Sequence, residues 1–376
     1  MTDRVGLHNL GNTCFLNVVL QSLRHCPQIV SVFLSSRAPA LREKSNKKGI
    51  YTAFHQLLKD IWTVDVPESA HPSLIPRHFL STLHGVLRDT DDDWYRPGQQ
   101  CDSAEALQYI LDSLHDATYH KVTMTVSGRA GNDGEISQTR ALESWSSFFT
   151  KEYSPIVENF NGQTQIKVVC NDCGNISERY EPWLMIKAPI PGADVVGGPA
   201  PHMTSCLNAA FETETLDDYD CEKCKTKTRA TLRHQISRLP PVVILSLKRF
   251  TNRGHKVTGF IPWDLDGLDF AAWMAFDRDP FRDIRAETQY KTISVIEHQG
   301  GTHGGHYRMY NRNAAANTWE EYDDASVRTV APENVITPQS YIAVMIRANE
   351  YEERYADMRT TIDALRATGH RVGKEA

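Results

Sequence analysis

Gly6-Leu-His-Asn-Leu-Gly-Asn-Thr-Cys-Phe-Leu-Asn17 runs directly into Val18-Val-Leu-Gln-Ser-Leu23. Apolar side chains at Phe15, Leu16, Val18, Val19, Leu20 and Leu23 have the spacing of a helix buried over much of its surface. Asn12 or Thr13 can cap that helix, which sets Cys14 in its first turn. Unpaired N–H groups and the positive end of the macrodipole stabilise a thiolate there. A thiol so placed is expected to ionise in the range of about 3.5–7.5 instead of about 8.5, the more so beside a histidine. Cys14 therefore has two readings: an activated nucleophile, or a buried inert cysteine that opens a helix.

A nucleophilic thiol needs a base, and the base needs a group to orient it. Far downstream lies Gly300-Gly-Thr-His-Gly-Gly-His-Tyr307, in which glycines let the backbone approach a reaction centre closely. His306 then starts a short strand, a rigid mount for an imidazole. Trp319-Glu-Glu-Tyr-Asp-Asp324 follows, and a pair of adjacent strands would return Asp323 to the side of His306. With 15 histidines in the chain, His298 and His303 compete for the same role and rank below His306. Asp323-Asp324 alone also fits an ordinary polar turn.

The 376 residues amount to one large or two modest domains, and a net charge of -6 argues against nucleic acid as the main partner. No apolar h-region follows Arg4, and no stretch is long enough to span a bilayer. Eight cysteines in so long a chain do not make a disulfide scaffold. Reduced thiols and an intracellular setting, cytoplasmic or nuclear, with no membrane association, are the expectation.

Helical periodicity dominates the first 120 residues, with apolar faces at Phe54, Leu57, Leu58 and Ile61 and at Leu107, Ile110, Leu111 and Leu114. The polar basic run from Arg37 to Gly49 reads as an exposed loop. Ser127 to Thr139, with Gly128, Gly131 and Gly134, reads as a flexible insertion. Beyond Phe160 the pattern turns to strands: Gln163–Val169, Val242–Leu247, Thr292–Glu297, His306–Tyr310, Trp319–Tyr322 and Tyr341–Arg347. The Gly- and Pro-rich stretch from Pro189 to Pro201 is a connector, and the charged tail from Asn349 is helical at first. Helices first and strands later predict an α+β architecture.

Cys170-Asn-Asp-Cys173 and Cys221-Glu-Lys-Cys224 are two Cys-x-x-Cys knuckles. Each can give two thiolates to a tetrahedral Zn²⁺, although their separation also admits two unrelated thiol pairs or a redox motif.

Taken together, these residues resemble the ubiquitin-specific proteases. The 6–17 run with Leu20-Gln-Ser-Leu23 is similar to that family's Cys box. Gly304-Gly-His-Tyr-Arg-Met-Tyr310 and Trp319-Glu-Glu-Tyr-Asp-Asp-Ala-Ser-Val327 are similar to its His box. Leu239-Pro-Pro-Val-Val-Ile-Leu-Ser-Leu-Lys-Arg-Phe250 and the start at Ser340-Tyr-Ile342 match further blocks, so the resemblance spans residues 5 to 348.

The resemblance implies a single catalytic domain over 1–376 with a papain-like fold. Its parts would be a helical thumb (1–150), zinc-ribbon-like fingers merging into the palm (155–240), an antiparallel β palm (241–348) and a C-terminal tail (349–376). It implies a cysteine-type deubiquitinase that hydrolyses the bond after ubiquitin's C-terminal glycine through a thioester, working as a monomer on ubiquitin-conjugated proteins. By position, Cys14 matches the nucleophile and His306 the general base. Asp323 matches the orienting residue, with Asp324 assisting. Asn9 matches the side-chain donor of the oxyanion hole, beside the backbone N–H of Cys14; on residue type alone it is a turn residue bonding its own backbone.

Gln100-Cys-Asp-Ser-Ala-Glu-Ala-Leu107 resembles another family block, departing from it at Cys101, Ala104 and Ala106. There Asp102 and Glu105 match acids that grip the basic ubiquitin tail, and they also have the spacing of an N-cap and its capping-box partner. Tyr307 is a further expected substrate contact. Cys170, Cys173, Cys221 and Cys224 fit the finger positions, which implies one structural zinc ion. A non-catalytic ubiquitin-binding adaptor and a protease for a ubiquitin-like modifier are the competing functions.

Overall fold

The computed structural model describes all residues except 1–3, 36–37, 65–71, 91, 193–200, 252–253, 280–283, 286, 303, 314–317 and 369–376. The chain enters through β1 (Gly6–Leu7) and then α1 (Cys14–Arg24), whose eleven residues are all buried. A helix enclosed on every side must be apolar almost throughout. Among its four polar residues, Asn17 and Gln21 spend their amides on the backbone carbonyls of Leu7, His8 and Val5. After it come α2 (Pro27–Phe33) and α5 (Ser103–Thr118), which pack on it, with α3 (Lys48–Thr63), α4 (Arg77–Asp89), α6 (Asp133–Phe149) and α7 (Pro155–Phe160). The short β2 (Ser73–Leu74) pairs parallel with β1.

Strands follow, as the alternation predicts. β3 (Gly162–Cys170) and β4 (Ile176–Trp183) form a hairpin, β5 (Ile186–Ala188) and α8 (Met203–Ala210) intervene, and β6 (Glu214–Cys221) and β7 (Thr226–Arg238) form a second hairpin. The two hairpins join as an antiparallel sheet in the order β4-β3-β7-β6, with both tips at the same end.

The remaining strands are β8 (Val242–Leu247), β9 (Leu268–Asp269), β10 (Arg278–Asp279), β11 (Ile284–Arg285), β12 (Gln289–Gly301), β13 (Gly304–Asn313), β14 (Thr318–Asp323), β15 (Ser326–Val330) and β16 (Ser340–Arg347). The larger sheet runs β15-β14-β13-β12-β16-β8-β5, antiparallel apart from the β5–β8 pair. β8 and β16 are buried at every residue. That explains why their sequences read as unbroken apolar runs. The closing helix α9 (Tyr351–Ala367) lays Tyr351, Tyr355, Met358, Ile362 and Leu365 onto α2 and α3, so the segment expected as a tail is part of the core.

Two expectations change. Residues 127–139 are not a flexible insertion throughout: α6 begins at Asp133, capped by Asn132 Oδ1, which accepts from the Glu135 N–H at 3.0 Å. Glu135 Oε2 reaches back to the Gly131 N–H at 2.6 Å, so Asn132-Asp-Gly-Glu135 is a variant of the capping box whose glycines disguise a helix start. The run from Arg37 to Gly49 is not an exposed loop throughout: Lys48 and Gly49 open α3, and the described residues before them are anchored. Arg42 bonds the Asp116 carboxylate at 3.0 Å and stacks on Tyr119, and Ser45 is buried.

Arg249 joins the two parts of the palm. Fully buried, it donates to the carbonyls of Ser340 (2.6 Å), Val257 (3.0 Å) and Gly259 (3.1 Å). Replacing it by leucine strands one buried and two half-buried acceptors. Arg249→Leu is expected to cost about 3–5 kcal/mol, read as a lower urea midpoint at unchanged slope.

Candidate active site and metal centre

Cys14 opens α1, and Thr13 occupies the N-cap position without capping the helix by its side chain. The Thr13 hydroxyl instead accepts from the Leu10 N–H at 2.9 Å and donates to Asn9 Oδ1 at 3.3 Å. Asn9 Oδ1 also accepts from the backbone N–H of Gly11 (3.1 Å) and Thr13 (3.0 Å). The 9–14 loop is thereby wound around one amide oxygen, and the first N–H groups of α1 stay free to face the thiol. Asn12 tolerates its positive φ of 57° because asparagine enters the left-handed region readily.

β13 brings His306 to this helix end. In the register of β12 and β13, His306 faces Gln299 and Tyr307 faces His298. β14 meets β13 only from Met309 onward, so residues 304–308 form an open sheet edge on that side. The backbone N–H of Tyr307 on this edge hydrogen-bonds the Cys14 thiol. One residue earlier, His306 Nε2 lies 2.6 Å from Asp323 Oδ1, which leaves Nδ1 as the ring nitrogen for a thiol proton. Asp323 ends β14, as the sequence reading required.

Asp324 does more than the sequence suggested. With φ at 48° it turns the chain into β15, and its carboxylate accepts from Asn17 Nδ2 at 2.7 Å and Asn9 Nδ2 at 3.0 Å. Its carbonyl accepts from the Leu7 N–H at 2.9 Å. Gly6 lies against this turn so closely that a Cβ there would sit 2.3 Å from the Ala325 carbonyl oxygen. Asp324 thus binds the turn after β14 to the segment before α1, and so fixes Asp323 and His306 relative to Cys14. An Asn9 Nδ2 proton remains beyond the one given to Asp324, as an oxyanion donor requires.

The expectation of a lowered Cys14 pKa is reversed. Burial pushes the thiol up, and the Asp324 carboxylate adds to this; the N–H groups of Tyr307, Phe15 and Cys14 pull the other way without prevailing. A neighbouring negative charge disfavours the thiolate, so removing it must lower the pKa. In Asp324→Asn, the pH midpoint of iodoacetamide alkylation of Cys14 is expected to move down from a wild-type value above the ordinary thiol range. A midpoint that stays put would show that Asp324 acts on Cys14 only through geometry.

The rival histidine is excluded on chemistry. His298 is buried between the rings of Tyr307 (4.5 Å) and Phe250 (5.5 Å). Burial, with Lys256 and His306 nearby, pulls its pKa to about 4, which makes it a weak proton acceptor. His303 lies outside the described residues.

The expected substrate residues divide. Asp102 caps α5, its Oδ1 accepting from the Ala104 N–H at 2.6 Å, and receives the Tyr341 hydroxyl at 2.8 Å on Oδ2. Glu105 is exposed one turn on. Both line a cleft of about 210 Å³ with Lys187, Lys248, Phe250 and Tyr341. Tyr307 departs from expectation. Its side chain is 5% exposed, with Ser103 and Asp102 close to its hydroxyl, so it is a packing residue whose backbone reaches the site.

At the tips of the smaller sheet the two knuckles meet. Cys170 Sγ lies 4.0 Å from Cys224 Sγ, and Cys173 Sγ lies 3.6 Å from Cys221 Sγ. All four sulfurs lie within 4.8 Å of one another. A disulfide needs about 2.05 Å, whereas four sulfurs each about 2.3 Å from a central ion are about 3.8 Å apart. Gly174 (φ 68°) and Lys225 (φ 56°) turn the chain after each second cysteine, so both knuckles aim their sulfurs inward. The Thr228 hydroxyl draws Cys170 down to about 6, while the thiol of Cys173 helps push Cys224 up to about 12. Four thiolates cannot share this corner without a cation, and the donor set fits a metal ion.

The ubiquitin carboxyl-terminal hydrolase family model matches residues 5–344. Ubiquitin carboxyl-terminal hydrolase Usp2 of Drosophila melanogaster is 28% identical over 346 residues, covering 90% of this chain and 34% of the relative. Human ubiquitin carboxyl-terminal hydrolase 2 is 27% identical, covering 90% of this chain and 54% of the relative. The chain thus spans about a third to a half of the length of these curated relatives. Among solved structures, a chain of the SAGA Ubp8/Sgf11/Sus1/Sgf73 DUB module bound to ubiquitin aldehyde superposes with a TM-score of 0.67 at 20% identity, covering 91% of this chain and 69% of that one. At that identity the likeness speaks for the fold. The family match runs from the residue before β1 into β16, and the chain belongs to the ubiquitin carboxyl-terminal hydrolase family.

Proposed function

We propose that this protein is a thiol hydrolase that cleaves the isopeptide, peptide or ester bond after the C-terminal glycine of ubiquitin. One observation carries the reading. Segments remote in sequence converge so that the Cys14 thiol rests on the N–H beside His306, whose ring is held by Asp323. Because Cys14 rests as a thiol, attack and deprotonation go together. His306 takes the sulfur proton as sulfur bonds the glycine carbonyl carbon, and the oxyanion is met by the backbone N–H of Cys14 and by Asn9 Nδ2. The imidazolium then protonates the departing amine as the C–N bond breaks, leaving a thioester. Water, losing a proton to His306, hydrolyses the thioester and frees the ubiquitin carboxylate and the thiol.

Asp102 and Glu105 would meet the basic residues of the ubiquitin tail in the cleft that they line. Cys170, Cys173, Cys221 and Cys224 would hold one zinc ion, which supplies a structural cross-link between two hairpins. No position is left open on such an ion, so the four cysteines take no part in the hydrolysis. The cysteines are unpaired, and no described helix is long and apolar enough to cross a membrane. The protein would act as a monomer in a reducing compartment, cytoplasm or nucleus.

Ubiquitin carrying a C-terminal electrophile is expected to add to Cys14 of the wild-type protein, seen as an intact-mass shift, and not to Cys14→Ala. Binding without an adduct would favour the adaptor reading. A faster adduct with the same electrophile on a ubiquitin-like modifier would move the substrate assignment.

A further inference from the structure

Gln100 is an exposed side chain in the loop before α5, yet its amide is fixed at both ends. Oε1 accepts from the Gly305 N–H at 2.9 Å, and Nε2 donates to the Gly305 carbonyl at 2.9 Å. Nε2 also lies 3.4 Å from Asn12 Oδ1, and Asn12 Nδ2 donates to the Gly98 carbonyl at 2.8 Å. The open edge of β13 explains the pairing. Gly305 sits opposite Gly300 in the β12 ladder but gives its N–H and C=O to the other side, where β14 does not reach. Gln100 fills in for the missing strand at Gly305, as the Cys14 thiol does at Tyr307.

The two residues so joined belong to the two walls of the approach to Cys14. Gln100 is two residues before Asp102, which lines the 210 Å³ cleft, and Gly305 is two residues before Tyr307, which touches the nucleophile. A chain led from that cleft to Cys14 would have to pass between the 100–103 loop and residues 305–307. A Cβ on Gly305 would lie 2.0 Å from the Gln299 carbonyl oxygen, and one on Gly304 would lie 3.2 Å from Gln100 Oε1.

We propose that Gln100 is a clasp that fixes the width of the passage to Cys14 and thereby restricts the residue preceding the terminal glycine of the substrate to glycine. It is a positioning residue, acting through Gly305 on the passage. The inference rests on the proposed hydrolysis of a ubiquitin tail. One methyl group is worth about 10–200-fold where a pocket is rigid, and much less where a wall can yield.

Two measurements test it. Turnover of a ubiquitin C-terminal amide reporter is compared with that of a reporter whose penultimate glycine is alanine. In Gln100→Ala, the preference for glycine, taken as the ratio of kcat/KM values, is expected to fall about tenfold or more. In Gln100→Glu, which keeps the acceptor for the Gly305 N–H and loses the donor, it falls less. A parallel loss on both reporters at constant ratio overturns the proposal, as does a lower KM for the native reporter at constant ratio, which would make Gln100 an obstruction. Hydrogen exchange at the Gly305 amide reads the clasp without activity. It is expected to be protected in the wild type and to exchange freely in Gln100→Ala, and an unprotected wild-type amide also overturns the proposal. A wild type that ignores the native reporter while its Gly305 amide is protected refutes the hydrolase reading and leaves the clasp standing.

Discussion

Cys14→Ala is expected to lower kcat/KM on a ubiquitin C-terminal amide by about 10⁶-fold, His306→Ala to cost the same within about a factor of ten, and the double variant to be no worse than either. The non-additivity is the informative part. A thiol held above its ordinary pKa by burial and by Asp324 is a weak nucleophile until a base takes its proton. The base is useless once the sulfur is gone, so each deletion removes the whole unit. Losses that multiplied would describe two independent contributions and would contradict a shared proton. The dissociation constant for intact ubiquitin, read on the inactive Cys14→Ala protein by calorimetry, is expected to stay within about threefold of wild type, because burial of the folded body of ubiquitin does not depend on the thiol. Asp323→Ala keeps sulfur and imidazole and loses the 2.6 Å bond that orients the ring, and it falls by about 10⁴-fold in kcat with little change in KM.

This part of the molecule was legible in the sequence for a physical reason. A helix buried on all sides, a glycine-flanked histidine on a strand and a returning strand each leave a local pattern: apolar spacing around Phe15 and Leu20, glycines at 300–305, alternation at 319–322. What joins them leaves none. Asp324 looks like the second half of an ordinary turn. Its work depends on Asn9 and Asn17, which stand beside it only after β14 and α1 have met. Gln100 heads a recognisable block, but its partner shows only once β14 is seen to stop short of Gly305. The thiol pKa failed for a related reason. A helix N-terminus is visible in sequence, but the burial that outweighs it is a property of packing. At α6 the error ran the other way. Glycines at 128, 131 and 134 suggested looseness, whereas Asn132 and Glu135 close a cap around two of them. The cysteine spacings pointed to a metal, and their convergence required the order β4-β3-β7-β6, which no local pattern encodes.

Stripping metal from the four cysteines should unfold the distal half of the smaller sheet while the larger sheet stands. β6 buries only Cys221 and β4 only Tyr180, so the tips have almost no apolar core of their own. Cys170, Cys221, Ala230 and Thr228 are the buried residues near them. A structural zinc contributes about 10–16 kcal/mol of apparent binding free energy in small zinc domains, most of it realised as folding. Here such an ion would take the place of the missing core. Native mass spectrometry is expected to find one zinc per chain. After complete removal, the amides of 170–177 and 220–228 should lose exchange protection while β12, β13 and β16 keep theirs. If about a third of that binding energy reaches the global transition, Tm drops by about 5 °C, and Cys173→Ser with Cys221→Ser reproduces the drop without a chelator. KM for a ubiquitin reporter should rise more than kcat falls, because Cys14, His306 and Asp323 are held by α1 and the larger sheet. An unchanged melting curve and unchanged tip protection in fully stripped protein would mean that the hairpins hold each other, and that the four sulfurs meet without needing an ion.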